Sequence, residues 1–412
     1  MRFKRIPAMG RKYLAAGLFT LLATHIGWAA SNYTILHAFG KAGDGSDIWS
    51  GLALDQKGNV FGTTYMGGYG YGTVFKLTRQ PDGQWKQKKL YEFRRNDANG
   101  EYPFGNVIID TAGNLYGTGS QGGVNQGGTV FELTRGPDGW VFKLLYTFCS
   151  EPECADGSTP EAGLTLDQAG NLYGTTFNVF QLSPGPDGWT ESVLYTFCSQ
   201  PNCADGSVPR AGLILDATGN LFGTTQSGGA YYHGTVFKLR PMPDGSWKER
   251  VLHSFGGSGD GIQPGRGTLA MDGSGSLYGT TITGGRHACD VQTCGTLFRL
   301  VRQPNGHWKE TILHHFKGGK GGYHPVGGLV MEATGVLYGT TQLGGTECDC
   351  GTIYKLVPNP DGTWTYTVLH RFTGDDGAFP SANLAFDNQG NLYGTTMFGG
   401  PAAGGVVFRL TP

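Results

Sequence analysis

The chain has 412 residues, of which 72 are glycine; only 15% are Asp, Glu, Lys or Arg, while 12% are aromatic. Because glycine weakens helices and aromatic residues suit pleated strands, this composition excludes a helical bundle or a disordered chain and indicates an all-β fold. The 31 basic and 32 acidic residues give a net charge of −1, so no overall field attracts nucleic acid or an anionic membrane.

The first thirty residues have the pattern of an export signal. Five basic residues between Arg2 and Lys12 precede an apolar stretch over 13–23, and small residues occupy the positions that a signal peptidase reads. We expect cleavage after Ala29, with Ala30 as the second choice, which leaves residues 30–412 as one domain. A membrane anchor is disfavoured because the apolar run is shorter than the about 20 residues of a span. We therefore expect an exported chain without a transmembrane segment, located in the periplasm, outside the cell or on its surface.

One phrase, Asn-Leu-Tyr-Gly-Thr-Thr or a close relative, recurs seven times. A short apolar run precedes each copy, Gly-Thr-Val-Phe-Lys-Leu or a relative follows, and a fourth run such as Val-Leu-Tyr-Thr-Phe closes the unit. Asp-x-x-Gly-Asn separates the first two runs, and Pro-Asp-Gly or Pro-Asn-Gly the last two, so each unit reads as a four-stranded meander. The copies begin at Asn59, Asn114, Asn171, Asn220, Ser276, Val336 and Asn391.

Four strands in a repeat of this length are typical of a propeller blade. The last unit stops after its third run, 405–410, whereas the segment 33–39 resembles an isolated fourth run. The sequence therefore predicts an all-β, seven-bladed β-propeller with four antiparallel strands per blade, in which the N-terminal strand completes the last blade. The alternative, a right-handed β-solenoid, requires shorter periods and does not explain the complementary ends.

The repeated unit Leu-x-Leu-Asp-x-x-Gly-Asn-Leu-Tyr-Gly-Thr-Thr, followed by Gly-Gly and Gly-Thr-Val-Phe-Lys-Leu, resembles the GloVer tandem repeat of exported bacterial proteins over residues 33–412. Members are often called choice-of-anchor proteins, and the resemblance implies no known chemistry. The unit is also similar to NHL propeller repeats, which mostly bind partners. Local departures are Glu332, Val336, Gly119 and a third unit whose middle loop is reduced to Phe177 and Asn178, so we expect that blade to be flatter on one face.

Eight cysteines occur as four close pairs in predicted loops. In an exported chain this spacing predicts local disulfides. A bridge between Cys348 and Cys350 would close a very small ring, so two alternatives remain for this pair: a labile disulfide or two free thiols. A metal site is disfavoured because the spacing is not that of zinc ligands, and we expect no metal and no other cofactor. The predicted bridges join Cys149 to Cys154, Cys198 to Cys203 and Cys289 to Cys294.

Motifs for catalysis are missing from the sequence: it has no His-Glu-x-x-His, Gly-x-Ser-x-Gly or phosphate-binding loop. The segment 265–270 fits a dinucleotide pattern by letter but leads into a predicted strand, where that motif requires a helix. Four histidines stand where other units have tyrosine in the fourth strand, which favours a packing role over binding of a ligand. Repeated aspartates are explained by Asp-Gly turns without a bound cation. These residues are His37, His253, His314 and His370, and Asp44, Asp97, Asp156, Asp205, Asp260 and Asp376.

The loops after the second and fourth strands are expected on one face, where they display aromatic and basic residues around one end of the channel. From these residues we expect a non-enzymatic module that binds a glycan or protein, or acts at the cell surface. Alternatives are a polysaccharide lyase or hydrolase, in which Glu161, Arg210, Arg266 and His324 meet, and a structural envelope component. The candidate binding residues are Tyr69, Tyr231, Tyr232, His233, Arg266 and His324.

Overall fold

The computed structural model describes residues 32–95, 98–289 and 292–412. Their strands form a seven-bladed β-propeller in which each blade is an antiparallel sheet with strands a to d running from the axis outward. No helix in these ranges is long and apolar enough to cross a membrane. The predicted signal peptide and Asp97 lie outside the described residues.

The strand bounds repeat from blade to blade. Strands a to d are Ala53–Leu54, Val60–Thr64, Thr73–Arg79 and Trp85–Glu92 in blade 1; Ile108–Ile109, Leu115–Gly119, Thr129–Gly136 and Gly139–Thr147 in blade 2; Thr165–Leu166, Leu172–Thr175, Asn178–Gly185 and Gly188–Thr196 in blade 3; Ile214–Leu215, Leu221–Thr225, Thr235–Pro241 and Trp247–Ser254 in blade 4; Ala270–Met271, Leu277–Gly284, Thr296–Arg302 and Trp308–His315 in blade 5; Val330–Met331, Leu337–Thr341, Thr352–Pro358 and Trp364–Arg371 in blade 6; and Ala385–Phe386, Leu392–Thr395, Val406–Thr411 and Asn32–Ala38 in blade 7.

Shorter strands and turns lie outside the four main strands of each blade. Gly261–Pro264 pairs with the extended strand b of blade 5, and Ala288–Cys289 forms a small hairpin with Gln292–Thr293. Three 3-10 turns span Pro152–Cys154, Pro201–Cys203 and Gly319–Gly321. Disulfides join all four cysteine pairs, so Cys348 and Cys350 are bridged as well.

Blade 7 closes the ring with strands from both ends of the chain. Its strand d, Asn32–Ala38, pairs antiparallel with strand c, Val406–Thr411, from the pair Asn32 and Thr411 to the pair Ala38 and Val406. This confirms the predicted closure, and the solenoid alternative is wrong. Pairing the two ends covers the edge of Val406–Thr411 and one edge of Asn32–Ala38, which would otherwise be exposed.

The Gly-Thr pair of the repeated phrase is explained by packing. A Cβ on Gly62 would lie 2.7 Å from Cζ of Phe75, a strand c ring with no exposed surface, so only glycine fits beneath that ring. The hydroxyl of Thr63 donates to the carbonyl of Gly105 in the next connection at 3.2 Å. The phrase therefore encodes contacts within and between blades rather than chemistry.

Strand d has a bulge at one leucine in every blade. In blade 1 the register against strand c passes from Tyr91 to Lys89 and leaves Leu90 without a direct partner. A bulge changes which way the following side chains point, and here it is followed by the tyrosine or histidine of the fourth strand. The equivalent leucines are Leu36, Leu145, Leu194, Leu252, Leu313 and Leu369.

Candidate functional site

The connections from strand d to the next strand a meet around the axis at one end of the propeller. In each connection an apolar residue, such as Leu52 in blade 1, comes directly before strand a. The residue three positions before it, such as Trp49 in blade 1, places its side chain at this end. Six of these seven residues line a cavity of about 50 Å³ on the axis. We call this site the axial mouth; the seven positions hold Trp49, Phe104, Glu161, Arg210, Arg266, Val326 and Ser381.

Small residues form the floor of the axial mouth. A Cβ on Gly105 would lie 2.5 Å from the carbonyl oxygen of Ala162, and one on Gly327 would lie 2.5 Å from that of Ala382. These distances are shorter than side-chain carbons tolerate, so the connections pack directly against one another. The floor is therefore closely packed backbone together with the polar side chains of Asn106, Thr268 and Asn383, and the charged and aromatic groups of the mouth belong to longer side chains.

One carboxylate and two guanidinium groups supply the charge of the axial mouth. Oε2 of Glu161 lies 3.2 Å from Nε of Arg210 and 3.2 Å from Nη1 of Arg266. Burial lowers the pKa of Arg266 from its ordinary value, and the charge of Glu161 opposes that change. Two cations against one anion leave one net positive charge, and Arg210, with a side chain 40% exposed, has N–H groups open to a ligand.

Aromatic rings form part of the wall of the mouth. Trp49 stacks on Phe104 with ring centres 5.0 Å apart, and the Arg266 guanidinium lies 5.2 Å from the centre of the Phe104 ring. Tyr65 contacts the same phenylalanine edge-on. Burial, followed by the charges of Glu161 and Asp47, raises the pKa of Tyr65, so its phenol stays neutral.

A groove leads from the mouth across blade 3, where the loop between strands b and c is short. It has a volume of about 320 Å³ and shares Glu161 and Arg210 with the axial mouth. Phe177 and Val208 in its lining are 41% and 40% exposed. The flatter face expected for this blade is thus a concave, partly apolar surface that ends at a guanidinium group; we call it the blade 3 groove.

The exposed tyrosines predicted for the site lie away from the axial mouth. Tyr69, Tyr231 and Tyr232 are 59%, 53% and 62% exposed and do not line the cavity. The Tyr69 ring lies 4.6 Å from the guanidinium of Arg94, just after the outermost strand of blade 1. Tyr69 therefore packs near the outer strand of blade 1, and a role for these tyrosines in binding stays a prediction.

The two predicted histidines form backbone hydrogen bonds between neighbouring blades. His324 has a φ of +54°, and its N–H donates to the carbonyl of Cys294 in the preceding blade at 3.1 Å. The carbonyl of His233 accepts the equivalent bond from Gln263 at 3.0 Å. Neither histidine lines the cavity, so Arg266 alone of the predicted binding residues reaches the axial mouth.

The repeated aspartates stabilise the connections. The Asp156 carboxylate accepts hydrogen bonds from the Tyr146 hydroxyl and the Ser150 N–H, both at 2.9 Å. His370 forms the same contact with Asp376 at 2.9 Å. These two aspartates therefore tie their connections to the preceding strand d through hydrogen bonds.

Sequence reasoning missed Trp49 and Phe104. Both look like ordinary core aromatics, and Trp49 follows isoleucine where most other connections have proline. Aligning all connections on the apolar residue before strand a would have placed both in one column with Glu161, Arg210 and Arg266.

The repeats define the class of protein. The Gloeobacter/Verrucomicrobia repeat matches residues 23–180, 178–363 and 289–412, and the chain belongs to this family. A search of curated proteins found no sequence match.

Solved structures share the fold at low identity. PorZ, an essential bacterial surface component of the type-IX secretion system of Porphyromonas gingivalis, is 16% identical with a TM-score of 0.51; the match covers 90% of this chain and 47% of PorZ. This chain therefore spans about half the length of PorZ. A luciferin-regenerating enzyme is 15% identical with a TM-score of 0.46, and the match covers 74% of this chain and 90% of the enzyme. A Dyadobacter fermentans protein of unknown function is 10% identical with a TM-score of 0.46, and the match covers 92% of this chain and 98% of that protein. At these identities the likeness extends to the fold alone.

Proposed function

We propose that this protein is an exported binding module that holds an oligosaccharide with one carboxylate-bearing sugar in the blade 3 groove and the axial mouth. The observation that carries the proposal is the continuity of the two: the groove displays Phe177 and ends at Arg210. A sugar ring stacks on an exposed aromatic face, and a guanidinium binds a carboxylate through paired hydrogen bonds.

The charges favour a ligand with a single acidic group. The mouth has one net positive charge, since Glu161 balances one of its two arginines, whereas the mature chain, which lacks the five basic residues of 1–29, is net acidic. A polyanion would gain little from this field. The partly apolar groove suits the neutral part of an oligosaccharide, which distinguishes this ligand from a free small anion.

The binding test compares oligosaccharides that differ only in whether one sugar carries a carboxylate. With the mature chain, calorimetry should detect the acidic form, and Arg210→Gln and Phe177→Ala should each weaken binding by about 1–3 kcal/mol. Arg240→Gln, an exposed arginine outside the groove, is the matched control and should bind as wild type. Equal affinity for acidic and neutral forms, or an unaffected Arg210→Gln variant, would contradict the proposal.

The same ligand tests the remaining possibilities. If it extends onto the outer loops, Tyr232→Ala weakens binding by about 1–3 kcal/mol, whereas unchanged affinity for Tyr69, Tyr231 and Tyr232 variants confines it to the groove. Cleavage of the ligand during incubation would favour the lyase or hydrolase. Failure to bind any glycan or protein would favour the structural envelope component.

Export is part of the proposal and rests on the four disulfides, which are typical of oxidising compartments, and on the signal pattern of residues 1–29. Mass spectrometry of the secreted protein should find Ala30, or Ser31 as the second choice, at the N-terminus. Secreted material with an intact Met1 would refute the processing step.

A further inference from the structure

The outer seams between blades repeat one arrangement. At these seams, a tyrosine or histidine on strand d of one blade faces a side chain on strand d of the next blade. At three seams that side chain is aromatic and stacks on the ring, with centres 4.0 to 4.1 Å apart. These pairs are Tyr91 with Phe142, His314 with Tyr366, and His370 with Tyr33.

Three consecutive seams have glutamate instead of the aromatic ring. Glu191 lies beside Asp156 and Tyr146, and Glu249 beside Asp205 and Tyr195. At the third of these seams, between blades 4 and 5, histidine replaces the tyrosine. This seam therefore brings an imidazole and two carboxylates together, from His253, Asp260 and Glu310.

The ligand atoms of these three groups lie close enough together to share one metal ion. Nε2 of His253 lies 3.0 Å from Oδ2 of Asp260 and 3.7 Å from Oε1 of Glu310, and all three ligand atoms lie within 4.8 Å of one another. Ligands at about 2.0–2.2 Å from zinc are separated by about 3.0–3.6 Å. No lysine or arginine in the described ranges forms an ion pair with either carboxylate, and Oε1 of Glu310 is buried with Asp260 and His253 as its polar neighbours.

We propose that His253, Asp260 and Glu310 form a site for a divalent transition-metal ion of the zinc class, which joins blade 4 to blade 5. The N–H groups of Gly256 and Gly261 donate to the two oxygens of Asp260 at 3.1 and 2.5 Å and hold this ligand in place. An imidazole nitrogen with two carboxylates suits Zn²⁺ or Co²⁺ better than Ca²⁺ or Mg²⁺, which prefer oxygen ligands alone.

The experiment uses the full mature chain without a histidine tag, stripped of metal with a chelator and titrated with Zn²⁺. Wild type should bind one ion per chain, and its melting temperature should rise with Zn²⁺ but not with equal Mg²⁺. His253→Tyr recreates the Tyr-Asp-Glu set of the two preceding seams, so it should fold and lose both effects. His370→Tyr, at a seam without a glutamate, is the control and should behave as wild type.

A second variant separates ligation from folding. Glu310→Gln keeps the side-chain shape and should weaken Zn²⁺ binding at least tenfold. Absence of Zn²⁺ binding to wild type would overturn the proposal, as would a His253→Tyr variant that binds like wild type. Unchanged affinity in Glu310→Gln would overturn the three-ligand assignment.

Discussion

Tyr354 has a buried hydroxyl group whose removal should stabilise the protein. In the other blades the strand c ring opposite the strand b glycine is phenylalanine, whereas blade 6 has tyrosine over Gly339. Tyr354 has no exposed surface, and its hydroxyl has no hydrogen-bond partner among the described residues. Burial raises its pKa well above the ordinary value, so the group stays a neutral phenol. We expect Tyr354→Phe to be more stable than wild type.

The magnitude follows from the cost of burying a hydroxyl without a partner, about 1–3 kcal/mol. Since the ring stays in place, only the contacts of one oxygen are lost, and the free energy of unfolding should rise by about 1 kcal/mol. The reverse change, Phe298→Tyr in blade 5, buries a hydroxyl at the equivalent place and should lower it by about 1–3 kcal/mol. Urea unfolding monitored by circular dichroism measures both. A Tyr354→Phe variant no more stable than wild type would show that the hydroxyl has a partner in solution.

Three further predictions concern the ring, the disulfides and pH. Deleting residues 32–38 leaves the edge of Val406–Thr411 unpaired and should lower the melting temperature; an unchanged value would contradict closure by this strand. Replacing Cys149 and Cys154 together by serine should lower stability by about 2 kcal/mol, and peptide mapping of wild type should find this local pair oxidised. Burial, followed by the Asp205 charge, raises the pKa of Glu249 to about 8 from 4.5. The folded chain then keeps a proton that the unfolded chain releases, so stability falls as pH rises from about 5 to about 8, and Glu249→Gln should flatten that slope in urea midpoints.

The fold was predictable because the repeated phrase occurs seven times and the local turn signals recur with it. Glycine in the repeated phrase and Asp-Gly or Pro-Asp-Gly turns delimit the strands, and the segment 33–39 matches the run that the last unit lacks. The seams were not predictable, because they pair residues such as Glu310 and His253 from different blades. Their contact depends on the leucine bulge in strand d, which a pattern of alternating side chains does not reveal.

The candidate site was predictable only in part. Arg266, Glu161 and Arg210 could be named because charged residues stand out in a connection, whereas His324, named with them, is not among the residues that line the cavity. Tyr69 looked equally suitable as a binding residue. The direction of its loop, toward the axis or toward the outer strand, depends on packing that the sequence does not reveal. Phe177 was noticed as a shortened loop, yet the groove above it depends on the neighbouring blades.

The pairing of Asn32–Ala38 with Val406–Thr411 also determines when the protein can finish folding. Six blades draw all their strands from neighbouring sequence and can form in the order in which the chain is synthesised or crosses a membrane. Strand Asn32–Ala38, however, can pair only after Val406–Thr411 is available, and contacts this distant in sequence form slowly. Until Thr411 arrives, the unpaired strand is available to wrong partners, including another copy of the chain. A circular permutant that joins Thr411 to the segment 32–38 through a short turn, such as the Pro-Asp-Gly turn of the other blades, would make this late step a local hairpin and should refold faster.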